Sequence, residues 1–334
     1  HGVRFEVVRV LVRDAGRARA VDLRGSVVTT DVASFLATDA DLVVEAIGGI
    51  EPALAIARAA LGGGRAFVTA NKALVAAHGA ELARLARESG ATLGYEAAVA
   101  GGVPVIRTLR DALAPTGVTA IRGILNGTTN FVLTRMHEGA RFTDALAEAQ
   151  ALGFAEADPT RDLDGTDAAD KIAILAWQAF GVRPDRLRID QTGLVPAPER
   201  IVADAHALGG VARLLAECVL LPTGVAAAVE PVIVSADSIL AGASAEENVV
   251  EIATRSNGTI RLSGLGAGAS PTASAILGDM LHAAPATPPR HDVVGAEDTR
   301  PHRWAISVRA EGDAATTLAR AAERAGVEFT PAEA

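Results

Sequence analysis

Apolar and polar positions along the chain fall into two regimes. Up to about residue 117, short apolar runs alternate with stretches of helical period. Phe5–Val12 (F-E-V-V-R-V-L-V), Asp41–Ala46 (D-L-V-V-E-A), Arg65–Ala70 (R-A-F-V-T-A) and Ala91–Ala98 read as strands. One helix begins near Pro52, and another runs over Ala73–Ser89 to a stop at Gly90. Runs this apolar are buried on both faces, and their alternation with helices predicts a parallel, doubly wound sheet. From Val118 the pattern changes. Val118–Leu125 reads as a strand, followed by helices over Thr128–His137, Thr143–Leu152 and Thr166–Phe180. Long β-rich runs follow at Val211–Leu221 and Val225–Val234, and Asn257-Gly258 marks a hairpin turn between two further strands. This half predicts an open α+β layer. Pro271–Leu281 reads as a helix with proline in its first turn, residues 282–302 as a linker, and Arg303–Glu328 as one strand and one helix.

Composition narrows the class. The 334 residues are 49% hydrophobic but only 3% aromatic, so the core is packed from small aliphatic side chains, as in βαβ layers. The net charge is −9 and no basic run occurs, which argues against a nucleic-acid partner. The single Cys218, in the apolar run L-L-A-E-C-V-L-L, excludes an internal disulfide and fits a reducing compartment. No apolar stretch is long enough to span a bilayer and no signal peptide opens the chain. The expectation is a soluble, acidic, cytoplasmic protein with no membrane partner.

Ligands of a doubly wound sheet sit beyond the carboxyl ends of its strands. Arg13-Asp14, with Arg17 and Arg19, follows the first strand, where an acid binds ribose hydroxyls and arginines bind a 2′-phosphate. Ile47-Gly48-Gly49 follows the second, and Thr69-Ala70-Asn71-Lys72 the third. Leu265–Ala269 (L-G-A-G-A) precedes the Pro271 helix, whose free N–H groups face an anion or a cofactor. The Glu96–Val103 loop is either a tight turn or a set of carbonyls around a monovalent cation. Asn126–Asn130 (N-G-T-T-N) is either a helix cap or a carboxylate site. The densest chemistry lies in Glu156–Lys171 (E-A-D-P-T-R-D-L-D-G-T-D-A-A-D-K), which reads as a solvated acidic loop or as a cage for a small zwitterion. Asp167 and Lys171 are four apart on a helix and so can pair, and partial burial of Lys171 would suit it to proton transfer. Glu156 and Asp162 remain as acceptors for a substrate ammonium.

These strings resemble homoserine dehydrogenase. The likeness rests on V-T-A-N-K-A-L, Y-E-A-A-V-A-G-G-V-P-V-I, G-I-L-N-G-T-T-N-F-V-L-T-R-M, E-A-Q-A-L-G-F followed by the acidic stretch, and G-A-G-A-S-P-T-A-S-A-I-L-G-D, between Phe5 and His282. The resemblance implies NAD(P)H-dependent reduction of L-aspartate 4-semialdehyde to L-homoserine, on the threonine, isoleucine and methionine pathways. It implies Lys171 as proton donor with Lys72 as second active-site lysine, and Glu156, Asp162 and Asp167 holding the amino-acid substrate. Arg13, read from its place after the first strand, and Ile47, Lys72, Gly266 and Gly268, read from the family, fall on the cofactor side. Carbonyls around Glu96, Val99, Gly101 and Val103 correspond to a sodium site. The arginines favour NADP while Asp14 favours NAD.

The fold expected is α/β, a Rossmann-like doubly wound parallel sheet, incomplete at its N-terminus, plus an α+β substrate and dimerisation domain with an open mixed sheet. Residues 1–117 form the nucleotide-binding domain, 118–264 the substrate-binding and dimerisation domain, and 265–282 a helix returning to the first. Residues 283–302 are a linker and 303–334 a partial ACT-like βα remnant. The family opens on a strand and a G-x-G-x-x-G turn, and the expectation is that this chain starts after them. A homodimer or homotetramer is expected. The competing reading is an inactive fragment or paralogue serving as an amino-acid-binding or assembly module.

Overall fold

A computed structural model describes residues 3–17, 27–196, 198–244 and 247–284. The parallel layer comes in two parts. β1 (Val10–Leu11) pairs in parallel with β2 (Val28–Thr29), and α1 (Val32–Leu36) follows, capped by the Asp31 carboxylate on Ala33 N and Ser34 N. β3 (Leu42–Glu45), β4 (Ala66–Thr69) and β5 (Leu93–Gly94) form a second parallel sheet in that order, joined by α2 (Ala53–Gly62) and α3 (Lys72–Ser89). Parallel neighbours need a crossover, and the two helices supply it. α2 buries Ala53, Ala57 and Ala60 beside Leu54, Ile56 and Leu61, in one cluster with Phe67, Leu74 and Leu82. The alanines let the helix lie close against the strands.

Two predicted strands are shorter than their sequence pattern. Of Phe5–Val12 only Val10–Leu11 pairs, and Val7 is 64% exposed: strand propensity without a neighbouring strand leaves the run irregular. Of Ala91–Ala98 only Leu93–Gly94 pairs, because Glu96–Ala98 folds into a 3₁₀ turn. The cause is the buried Glu96 carboxylate, which accepts from Ile106 N (2.7 Å) and Arg107 N (2.8 Å) and so caps α4 (Val105–Arg107).

The second layer is a six-stranded sheet. Its strands are β6 (Val118–Ile124), β7 (Ile189–Gln191), β8 (Gly210–Leu221), β9 (Gly224–Ser235), β10 (Glu247–Thr254) and β11 (Gly258–Leu265). Their order is β11-β10-β6-β8-β9-β7, antiparallel throughout except for β7 on β9, so the sheet is mixed. The Asn257-Gly258 turn joins β10 to β11 as the sequence predicts. Between β6 and β8 lie α5 (Gly127–His137), α6 (Phe142–Leu152), α7 (Thr160–Leu163), α8 (Thr166–Phe180) and α9 (Pro198–Leu208). α9 went unpredicted, because its apolar face is only Ile201, Val202 and Ala205 behind a proline-rich start. One sheet face packs Ile121, Leu214, Cys218, Val250 and Ile252 with Val132, Leu133, Ile172 and Leu175 of the helices. The other face carries a charge ladder in register across four strands, Arg261–Glu251–Arg122–Glu217.

α10 (Ala269–Ala283) leaves the six-stranded sheet and packs on β4, β5 and the Glu96 turn. Buried Asp279 fixes it there, accepting from Glu96 N (2.8 Å) and Arg107 Nη2 (3.1 Å). The helix runs to Ala283, and the expected linker and βα unit beyond Ala284 lie outside the described residues. No helix among the described residues is long and apolar enough to cross a membrane.

Replacing Asp279 by Ala strands a buried N–H and frees Arg107, a loss of about 2 kcal/mol in unfolding free energy. Asp279→Asn keeps an acceptor and loses less. Urea denaturation of the two variants checks the order.

Candidate active site

The site begins at the first turn of α8. Asp167 is the second residue of that helix, where a carboxylate suits the dipole, and Lys171 stands one turn later on the same face. Asp167 is 2% exposed and its two oxygens are divided between two lysines. Lys72 Nζ lies 2.5 Å from Oδ1 and Lys171 Nζ 2.7 Å from Oδ2. Burial alone would raise the Asp167 carboxyl, but Lys171 and Lys72 outweigh it and hold the group well below the usual carboxylate range. For Lys72, burial would lower the ammonium, and Asp167 overcomes it and holds the ammonium above its ordinary value. Lys72 opens α3, where the dipole disfavours a cation by about 0.3–1 kcal/mol. The contact with Asp167 offsets that.

Lys171 also donates to Leu125 O at 2.6 Å. An ammonium has three donors, so one is left over for a ligand. Asp162, on α7, accepts from Asn126 Nδ2 (2.7 Å) and lies 3.0 Å from Thr128 Oγ1, whose single proton is shared with Phe154 O at 2.6 Å. Asn126 Nδ2 also donates to Asp167 Oδ2 at 2.8 Å. Lys72, Asp162, Asp167 and Lys171 thus come together in one hydrogen-bonded cluster. Glu156 does not join it: its side chain is exposed on the loop after α6, and its backbone carbonyl accepts from Gln150 Nε2.

The carboxyl ends of β3 and β4 face the same region. Glu45, buried at the end of β3, accepts from Ile47 N (2.7 Å), Gly48 N (3.1 Å) and Thr69 Oγ1 (2.5 Å). Asn71 donates to Gly49 O at 2.5 Å and accepts from Leu74 N, capping α3 just before Lys72. Gly48 and Gly49 both have positive φ, and a Cβ on either would meet nothing within 4 Å, so the crest of this loop is open to a ligand. Arg13 is exposed at the carboxyl end of β1, and Arg19 lies outside the described residues. Gly101, with φ of 50°, presses on Gly266 O, and Gly102 N donates to Leu265 O (3.0 Å), so the 96–103 loop and the Gly266–Gly268 segment are packed together. Of the four carbonyls expected around a cation, Glu96 O accepts from Val99 N and Val103 O from Val105 N. A second lone pair remains on each.

Sequence reasoning passed over Glu45 and Asn248. Glu45 carries a signal, a lone acid ending an apolar strand. Asn248 is buried on β10 and donates to Leu125 O at 3.3 Å, the carbonyl that also holds Lys171. A side chain on Gly266 would run into its carboxamide.

Comparison with known proteins gives a consistent result. The family model for homoserine dehydrogenase matches residues 104–281, and that for the homoserine dehydrogenase NAD binding domain matches residues 1–96. A homoserine dehydrogenase of Mycobacterium bovis is 40% identical over 306 residues, covering 89% of this chain and 68% of the relative. The crystal structure of a homoserine dehydrogenase from Thiobacillus denitrificans superposes with a TM-score of 0.76 at 38% identity, covering 82% of this chain and 64% of that one. A hyperthermophilic archaeal homoserine dehydrogenase in complex with NADPH gives 0.65 at 32% identity, covering 73% and 71%. The chain spans about two thirds of the length of these relatives.

The charges of the cluster fix a pH window. Asp167, depressed, contributes stability above the ordinary carboxylate value near 3.9 and loses it as pH falls through its lowered value. Lys72, raised, contributes below about 10.4 and loses it as pH rises through its raised value. Asp167→Asn should therefore cost about 3 kcal/mol between roughly pH 5 and 10, and less in acid. Lys72 is 37% exposed, so water screens its share and most of the loss belongs to Lys171. Denaturation of wild type and variant across pH reads the window.

Proposed function

This chain belongs to the homoserine dehydrogenase family, whose members are NAD(P)-dependent oxidoreductases, and from that premise we propose that the complete protein reduces L-aspartate 4-semialdehyde reversibly to L-homoserine. The observation that carries the reading is Lys171. Its ammonium is anchored by Asp167 and Leu125 O with one donor unspent. That donor hydrogen-bonds the substrate carbonyl oxygen, polarises it, and passes it a proton as the carbon is reduced. A bound nicotinamide cofactor supplies the hydride. Lys72, tied to the other oxygen of Asp167, adds positive charge where the alkoxide forms and keeps Asp167 ionised. Asp162 and the exposed Glu156 are the acceptors for the substrate ammonium.

The open crest at Ile47–Gly49, Lys72, and the packed Gly266–Gly268 segment support these residues as the cofactor side of the site. NADP is the proposed cofactor, with NAD as the other option. Exposed Arg13 beyond β1 suits a 2′-phosphate, and the archaeal relative is described with NADPH. A sodium ion is proposed on the carbonyls of Glu96, Val99, Gly101 and Val103. The donor set supports a monovalent ion, because the nearby Glu96 carboxylate is turned away onto two amides. Assembly as a homodimer or homotetramer is proposed on family resemblance, with the open face of the six-stranded sheet as the surface a second copy would cover. One free, buried cysteine suits a reducing compartment, and we place the enzyme in the cytoplasm.

Oxidation of NADPH on adding L-aspartate 4-semialdehyde tests the reading. Lys171→Met should lower kcat by about 10²–10⁴ with the fold retained. No turnover by the complete wild-type protein, or full turnover by the variant, would overturn it.

A further inference from the structure

We infer that Asn126 is a positioning residue for this reaction: its carboxamide sets the spacing and charge balance between the substrate-holding Asp162 and the lysine-bearing Asp167. The inference rests on the proposed function and concerns a side chain that does not itself touch the reacting atoms.

Asn126 is 4% exposed at the junction of β6 and α5. Its Oδ1 accepts from Thr129 N (2.8 Å) and Thr129 Oγ1 (2.9 Å). Those two donors fix which way the amide points, and so Nδ2 must face the carboxylates. Its two hydrogens are both used, one on Asp162 Oδ1 at 2.7 Å and one on Asp167 Oδ2 at 2.8 Å. Asp162 arrives on α7 and Asp167 on α8, so the amide is the piece that holds two like charges from different helices at a fixed distance. The preceding residue contributes from the same strand end, since Leu125 O is the acceptor of Lys171. One short segment therefore grips the carboxylate with a side chain and the ammonium with a carbonyl. A shift of Asn126 displaces both.

The charged groups around the amide are Asp162 from α7, Asp167 and Lys171 from α8, and Lys72 from α3. Arg161 from α7 pairs with Asp170 of α8, and Asp170 also interacts with Asp167 and Lys72. Within this set Asn126 is the neutral donor that lets two carboxylates coexist.

A plain helix cap would explain the contact with Thr129 and nothing else. Ser and Asp cap helices about as well as Asn, so they separate the two roles. Asn126→Ser keeps the cap and deletes the bridge. Asn126→Asp is isosteric, keeps the cap and turns a donor into a third carboxylate. If Asn126 positions, Asn126→Ser lowers kcat by about 10²-fold in protein that is less stable but still folded at the assay temperature. Asn126→Asp moves the acid limb of the kcat profile upward by about one pH unit or more, because like charges raise one another's titration. Wild-type kcat and an unmoved acid limb in both variants would reduce Asn126 to a cap.

A readout independent of turnover is the titration of the Asp167 carboxyl carbon by NMR in the complete protein. Loss of the shared donor in Asn126→Ser should raise it measurably. An unmoved Asp167 carboxyl in both variants overturns the inference, whatever the substrate. Absence of turnover in wild type, with an Asp167 carboxyl that does move, overturns the proposed function instead. Should Asn126→Ser fail to fold, Asn126→Asp carries the same titration.

Discussion

A carboxylate with almost no access to water sits between two ammonium groups, and much of this structure can be understood as what Asp167 requires. Leaving such a group buried and unpaired would cost far more than a domain's whole stability margin, or would force it to take up a proton. Lys171 satisfies it from within α8, and Lys72 satisfies it from α3, an element of the parallel layer. The ion pair is therefore also a joint between the two layers. It holds a lysine at a helix start where the dipole disfavours one, and it ties the end of β4 to the start of α8.

Around that joint, backbone groups do as much as side chains. Leu125 O receives both Lys171 and Asn248, and Gly266 has no side chain because the Asn248 carboxamide occupies its place. The proton donor and the glycine segment proposed for the cofactor are thus separated by a single buried amide. On the parallel side, Glu45 gathers Ile47 N, Gly48 N and Thr69, and Asn71 gathers Gly49 O while starting α3. The loop that opens toward a ligand and the helix that delivers Lys72 are set by one network.

The sequence made some of this visible. Apolar period placed α3, α5, α6 and α8 and the strands β8 to β10, and the Asn257-Gly258 turn placed β11, which buries no residue fully. The four-residue step from Asp167 to Lys171 foretold their pairing. Family resemblance put Lys72 in the same site, but its contact with the Asp167 carboxylate was not foreseen, since local period cannot report a contact between elements so far apart. Strand lengths were overestimated at Phe5–Val12 and Ala91–Ala98, where the outcome depended on a pairing partner and on where Glu96 aimed its carboxylate. Glu156, assigned to the substrate by its place in the acidic stretch and by family resemblance, is exposed and makes no side-chain contact with the Asp167 cluster. The two-sided role of Asn126 was hidden, because a cap and a bridge use the same residue type in the same place.

The central claim is that Asp167 and Lys72 interact directly and join the layers. A double-mutant cycle of Lys72→Met and Asp167→Asn, read as unfolding free energy near neutral pH, measures it. The account predicts that Lys72→Met costs much less once Asp167 is Asn, a coupling of about 1 kcal/mol or more. Additivity to within about 0.5 kcal/mol would contradict it.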